Sequence, residues 1–312
     1  SLLVFFLSSS LWSEEQIDIW KNNTNKNNIE TSNSSNKEIQ EIDNTKASNI
    51  IKSSEKIEIQ EGNEIETEER TAFGIFQPAD YNFDLNMWSN TKAEDLKSSL
   101  KRLNKINLSK SSQEILEIVL FSFSYPPQGM TEEEFVNLKI DWLIKNSRVE
   151  LIESFLNQNQ EFASKGKAVQ FLVDKNIASA NIKDGCDKIQ FIDAKIKDPY
   201  LEKFKIYCLV FNKKNSEAQL LLDLLREQKL SSKFYDDKIN YLLGITEKTD
   251  NKISEKNLLN FYLSSITNSN FKYEPTPKTK PEIWRYLNSA NLIKLEDSTN
   301  KEKIKALEIA AN

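Results

Sequence analysis

From Thr91 onward the chain is punctuated as a series of helices, and this constrains its fold more than any other sequence feature. Five candidate capping boxes can be read, each a Ser or Thr three residues ahead of a Glu: Thr91/Glu94, Ser111/Glu114, Thr131/Glu134, Thr279/Glu282 and Thr299/Glu302. Such a pair can close a capping box, in which hydroxyl and carboxylate satisfy the free N–H groups of a helix start reciprocally. Each precedes apolar residues at helical spacing. Ile115, Leu116, Val119, Leu120 and Phe123 form one stripe, and Ile118 with Phe121 extends it almost round the helix, which predicts a central position for that helix. Further stripes are Phe135, Leu138, Trp142; Val149, Ile152, Phe155; Ile182, Cys186, Ile189, Ile192, Ile196; and Leu201, Phe204, Cys208, Phe211. Leu221, Leu222 and Leu225 follow, then Ile239, Leu242 and Leu243 up to Gly244. No comparable run alternates with period two, so strands are not expected and the fold class is all-α.

Short links such as Asn146-Ser147 and Asn212 to Asn215 make successive helices antiparallel neighbours. Val149, Gly185 and Ala218 fall at corresponding places near the start of second helices, thirty-three to thirty-six residues apart. That is the period of stacked helix–turn–helix repeats. The expected architecture is a stack of antiparallel helix pairs, a right-handed superhelix of the tetratricopeptide type, over 91–272. Tyr273 to Pro281 carries three prolines and reads as a stiff linker to a second helical unit over 282–312, which runs into Asn312 without a stop signal and so reads as truncated.

Ahead of the helices, residues 1–13 (SLLVFFLSSSLWS) have the length and apolarity of a signal-peptide remnant, with a frayed apolar terminus or a core strand as the alternative. Residues 14–70 have the composition of a disordered tether, with KNNTNKNNIETSNSSNK at 21–37 and an acidic stretch from Glu55 to Glu69. Residues 71–90 gather Phe73, Phe76, Tyr81, Phe83 and Trp88 around Pro78. Burying so many aromatics is strongly favourable, so this extended segment is expected to lie on the following domain rather than to serve as an exposed docking strip.

Composition excludes several functions. A net charge of −5 over 312 residues gives no basic excess for nucleic acid or an anionic membrane, and no later run is apolar for long enough to span a bilayer. There is no histidine, and no phosphate-binding glycine loop, nucleophile elbow or zinc-protease motif. Acidic runs such as Glu132 to Glu134 and Asp236-Asp237 sit at helix starts or on solvated faces, where the helix dipole accounts for them. No catalytic residue, metal site or cofactor is expected.

Two cysteines remain. Asp198-Pro199 starts a helix, because aspartate caps free N–H groups and proline fits the first turn. A hairpin centred near Lys197 places Cys186 and Cys208 eleven residues to either side, level with each other about 16 Å along each arm. Level cysteines can form a disulfide, which with the apolar leader indicates an oxidising compartment; two buried reduced thiols are the alternative. Trp142, Tyr207 and Trp284 could line a partner-binding groove, but at helical spacing beside other apolar residues they read first as core positions. Lys278, Lys280 and Arg285 make a small basic cluster that a solvated linker explains equally well.

These residues resemble tetratricopeptide-type helical repeats, although the Trp, Leu-Gly and Tyr positions of that consensus are not reproduced. More specifically, Leu85-Asn86-Met87-Trp88, Pro126-Pro127, Asp198-Pro199-Tyr200, Cys208 and Leu224-Leu225-Arg226-Glu227-Gln228 are similar to landmarks of an uncharacterised family of exported alphaproteobacterial helical proteins. The similarity covers roughly Tyr81 to Asn312, implies a chain continuing further, and brings no catalytic residues. The resulting expectation is a periplasmic or secreted scaffold of the Gram-negative envelope, binding a protein or peptide and doing no chemistry. The alternative is the non-catalytic superhelical part of an envelope glycan-processing enzyme whose active domain lies beyond residue 312.

Overall fold

A computed structural model describes residues 70–293, except 160 and 194–195. The leader at 1–13, the tether from 14 up to residue 69, the Thr299/Glu302 box and the end of the second unit lie outside the described residues. Among those described there are eleven α-helices and no strand. They are α1 Ala93–Leu103, α2 Lys110–Phe121, α3 Glu132–Lys145, α4 Val149–Gln158, α5 Lys165–Ala178, α6 Ile182–Asp187, α7 Pro199–Phe211, α8 Asn215–Glu227, α9 Lys233–Leu242, α10 Leu258–Ile266 and α11 Pro281–Ser289. Two short 3-10 turns, Pro78–Tyr81 and Lys188–Phe191, complete the set.

A step of 33 residues organises the middle of the chain. The second helices α4, α6 and α8 begin at Val149, Ile182 and Asn215. The turns before them pass through Ser147, Ala180 and Lys213, with φ of 52°, 55° and 60°. In each turn an N–H reaches back five residues, from Arg148 to Leu143 O, Asn181 to Asn176 O and Lys214 to Leu209 O, at 2.9, 2.9 and 2.8 Å. This is the Schellman closure of a helix end. Burial keeps the same step: Phe135, Ala168 and Leu201 are buried, as are Ile140, Val173 and Ile206. Gly185 and Ala218 therefore correspond to Ile152, the fourth residue of its helix, and not to Val149.

The packing follows the step. α3 packs on α4; α5 packs on α3, α4 and α6; α7 packs on α5, α6, α8 and α9. The regular step covers Glu132–Glu227, less than the expected 91–272. α9 starts a fourth step in register, but residues 245–257 form a loop where its second helix would be. α10 and α11 then fold back, α10 onto α5 and α9, α11 onto α5 and α10. The described part of the expected second unit thus shares the core of the first. Its prolines redirect the chain without separating it: Pro281 occupies the first turn of α11, and Tyr273 packs edge-on against Phe261 with ring centres 4.9 Å apart.

The central helix is α10, where every residue from Leu258 to Ser265 is buried. α2, expected in that role, lies at the edge with Ile115 63% exposed. The aromatic segment packs on its own domain. Ile75 and Phe76 donate to Phe121 O, Phe123 donates to Phe76 O, and Gly74 lies so close to Ser122 and Phe123 that a Cβ would stand 2.4 Å from the Phe123 nitrogen.

Of the boxes described, Thr131/Glu134 forms in full. At α1 the first free donor, Ala93 N–H, goes instead to Gln128 O (2.9 Å). At α2 the cap is Ser109, two residues earlier than expected. At α11 Pro281 fixes the start, and the Thr279 hydroxyl accepts from Thr276 N–H (2.9 Å) instead. Residues other than glycine held at positive φ store about 1 kcal/mol each. Lys213→Gly is accordingly expected to raise the unfolding free energy by about 1 kcal/mol in urea titration, with an unchanged m-value.

Candidate functional site

The three candidate binding residues are all interior. Trp142 is 6%, Tyr207 4% and Trp284 2% exposed. Trp142 packs against Phe121, and Tyr207 meets Tyr262 of α10 edge-on, with hydroxyls 2.6 Å apart. Tyr286 of α11 continues this array through Ser265, hydroxyl to hydroxyl at 2.6 Å. Burial raises the pKa of Tyr207 and of Tyr286 above the ordinary phenol value, so both phenols stay protonated and act as hydrogen-bonding groups between helices. These residues form no open groove. The α7 side that Tyr207 presents is met by α10 through Tyr262.

The cysteines come together. Their sulfurs are 2.05 Å apart and their Cα atoms 5.5 Å, and both residues are buried. The route differs from the expected hairpin with equal arms. α6 ends at Asp187, one residue after Cys186, and tightens into a 3-10 turn. Side chains beyond it are drawn towards earlier helices: Lys188 pairs with Glu153 of α4 (2.7 Å), Asp193 pairs with Lys165 of α5 (2.6 Å), and Phe191 is buried. Gly185 permits the approach. It lies inside α6, and a Cβ there would stand 3.1 Å from the Cβ of Asn176 and 3.4 Å from the Phe204 ring. The pair links the second helix of one step to the first helix of the next.

Two ionisable groups with displaced titration stand out, one buried and one half-buried. Lys139 of α3 is fully enclosed, and burial lowers its pKa to about 7. Its ammonium donates to Phe73 O (2.7 Å) and lies 4.4 Å above the Phe135 ring. It ties the aromatic segment to the helices. Asp174 of α5 is pushed up to about 6, by burial first, against the opposing hydrogen bonds from Tyr200 and Gln170. Tyr200 of α7 donates its hydroxyl to that carboxylate, and Lys280 and Glu282 of the α11 approach act on it through space. Asp174 thus sits where α5, α7 and α11 meet.

Lys139 is sealed from solvent, and Asp174 is held by Tyr200 of its own fold. Among the described residues no three His, Cys, Asp or Glu side chains gather as a metal site would require, and no helix is long and apolar enough to cross a membrane. Comparison with protein-family models, curated proteins and solved structures finds no match to this chain.

Replacing both cysteines by alanine is expected to cost about 3 kcal/mol of stability, read as a lower urea midpoint, for a bridge closing a loop of 22 residues. The Asp174 shift sets a pH dependence. Its folded pKa lies above the unfolded value, so the folded state holds the proton longer and stability falls as pH rises from about 4 to 7, by at most about 3 kcal/mol. Asp174→Asn, which still accepts from Tyr200, is expected to remove that fall; an unchanged slope would place the titrating group elsewhere.

Proposed function

We propose that this protein is an exported scaffold for protein–protein interaction in the Gram-negative envelope, periplasmic or secreted, with no catalysis of its own. In this reading the hairpins of Glu132–Glu227 stack as a right-handed superhelix of the tetratricopeptide type. The observation that carries it is the 33-residue step joined across two successive hairpins by Cys186 and Cys208. Stacked hairpins present long regular surfaces and are used above all for binding other proteins. A buried pair of sulfurs at bonding distance persists in an oxidising compartment, consistent with the apolar run at 1–12.

Because α10 and α11 cover the face formed by α5 and α9, the partner, a protein or peptide, meets an outer surface. α8 offers one: Leu220 and Leu224, one turn apart, are 62% and 42% exposed between Glu217, Asp223 and Glu227. The test uses native cells quenched in acid and alkylated before lysis. The Cys186 and Cys208 peptides are expected to be recovered joined, and a photo-crosslinker at position 220 is expected to yield a discrete adduct with an envelope protein. Two alkylated thiols, or adducts with cytoplasmic proteins alone, would overturn the export reading. No adduct at 220 or 224 would overturn the assignment of α8 as the partner surface.

A further inference from the structure

Lys139 has an equivalent at the far end of the stack. Lys238 of α9 lies three steps of 33 residues further on, and each lysine follows a phenylalanine by one helical turn, Phe135 and Phe234. Both lysines are fully enclosed, with their ammonium groups 4.4 Å from the centre of the Phe135 ring and 5.5 Å from that of Phe234. Each ammonium donates to a main-chain carbonyl of a non-helical segment: Phe73 O in 70–77 (2.7 Å) and Asp250 O in 245–257 (2.5 Å). The two inner steps carry Ala168 with Leu172 and Leu201 with Lys205 at these places, so neither has the pair. The first and fourth steps thus use the same two side chains to dock a segment that is not a helix.

The two docks differ in charge. Lys238 also meets the Asp250 carboxylate (3.3 Å), which serves as its counter-ion. The other oxygens near the Lys139 ammonium are Ser122 O (3.4 Å) and the Ser124 hydroxyl (3.5 Å), both neutral. The ionisable groups on the elements around it are engaged elsewhere. Arg70 lies over the Tyr125 ring, Glu132 accepts from Thr71 N–H, Glu134 closes the α3 cap, Glu117 pairs with Arg148, and Asp141 pairs with Lys167. An ammonium enclosed without a counter-ion resists burial, in keeping with its lowered pKa. Segment 70–77 is therefore seated against a standing cost. Its other ties run to one residue on one side and to the end of α2 on the other. Asn159 brackets Gly74, accepting from its N–H (3.2 Å) and donating to its O (2.8 Å), while Ile75 and Phe76 donate to Phe121 O.

We propose that residues 70–77 are a releasable strap with Lys139 as its latch: the segment leaves the helices as one unit by local opening, whereas 245–257 stays docked through Lys238 and Asp250. The inference does not depend on the export reading.

Native-state hydrogen exchange of the full chain, followed residue by residue from pH 6 to 9, tests this. The amides of Gly74, Ile75 and Phe76 are expected to share one opening equilibrium, reached more often than the opening of Leu172 and Val173 in α5. Opening moves the Lys139 ammonium from a site of pKa about 7 into water, where the ordinary value is 10.5, so a proton is taken up on opening above pH 7. Protection of the three amides is accordingly flat below pH 7 and rises by about tenfold per pH unit above it. The Ser254 amide of 245–257, held by the Ser264 hydroxyl, does not follow this rise. Lys139→Met is expected to abolish the rise, and Asn159→Ala to lower strap protection roughly tenfold at every pH while keeping the rise. A strap that exchanges only together with α5, a profile flat from pH 6 to 9, a rise shared by Ser254, or one that survives Lys139→Met would each overturn the proposal. The first three are read on the unmodified chain and decide it even where a variant fails to fold.

Discussion

The fold depends on the enclosure of α5. Ala168, Val169, Leu172, Val173 and Ile177 are all buried, and α3, α4, α6, α7, α10 and α11 each pack against this one helix. A helix with neighbours on so many sides keeps only a narrow solvated strip, at Lys167, to set its orientation, so it must be held by the elements around it. α3 and α4 supply one side, α6 and α7 the next step of the stack, and α10 and α11 the remainder. That is why the stack does not stop at α9. Without the return of α10 and α11, part of the apolar surface of α5 would face water, at about 25 cal/mol for each Å² left open.

Much of this architecture was legible in the sequence where residue type alone fixes a backbone position. Asp198-Pro199 starts α7 with the aspartate accepting from Tyr200 and Leu201, and Thr131/Glu134 closes its box. The apolar stripes of α3, α4, α7 and α9 predicted buried faces, and the short links predicted hairpins. The step was legible only approximately. Its turns use Ser147, Ala180 and Lys213 at positive φ, where glycine is the usual signal, so the sequence does not mark them. Aligning on small residues instead placed Val149 opposite Gly185, three positions out of register.

The reversal of roles between α2 and α10 has a different origin. Both segments are apolar nearly all round, and such a pattern says that a helix is to be covered without saying by what. For α10 the cover is intramolecular: α5, α9 and α11, with the array Tyr207, Tyr262, Tyr286 and Ser265 satisfying its hydroxyls. For α2 the described chain supplies only an inner side. The candidate residues Trp142, Tyr207 and Trp284 illustrate the same limit. Large aromatics at helical spacing serve a groove or a core, and the choice was made by distant or adjoining elements: α10 covers Tyr207 through Tyr262, 55 residues on, while Phe121 of α2 packs on Trp142.

The two displaced ionisable groups show how the chain joins its parts. Lys139 lies where the aromatic segment meets α3, and Asp174 where α11 meets α5 and α7. Each is a polar anchor between two parts of the chain, and their titrations oppose one another. Lys139 is destabilising while charged, so the seam it holds tightens as pH rises above 7; Asp174 is destabilising while charged, so its seam loosens as pH rises towards 7. Near neutrality each group is charged in a substantial share of molecules and carries part of its burial cost. Each group also aims its hydrogen bond at one partner across its seam, Lys139 at Phe73 O and Asp174 at the Tyr200 hydroxyl, a direction that apolar contacts lack.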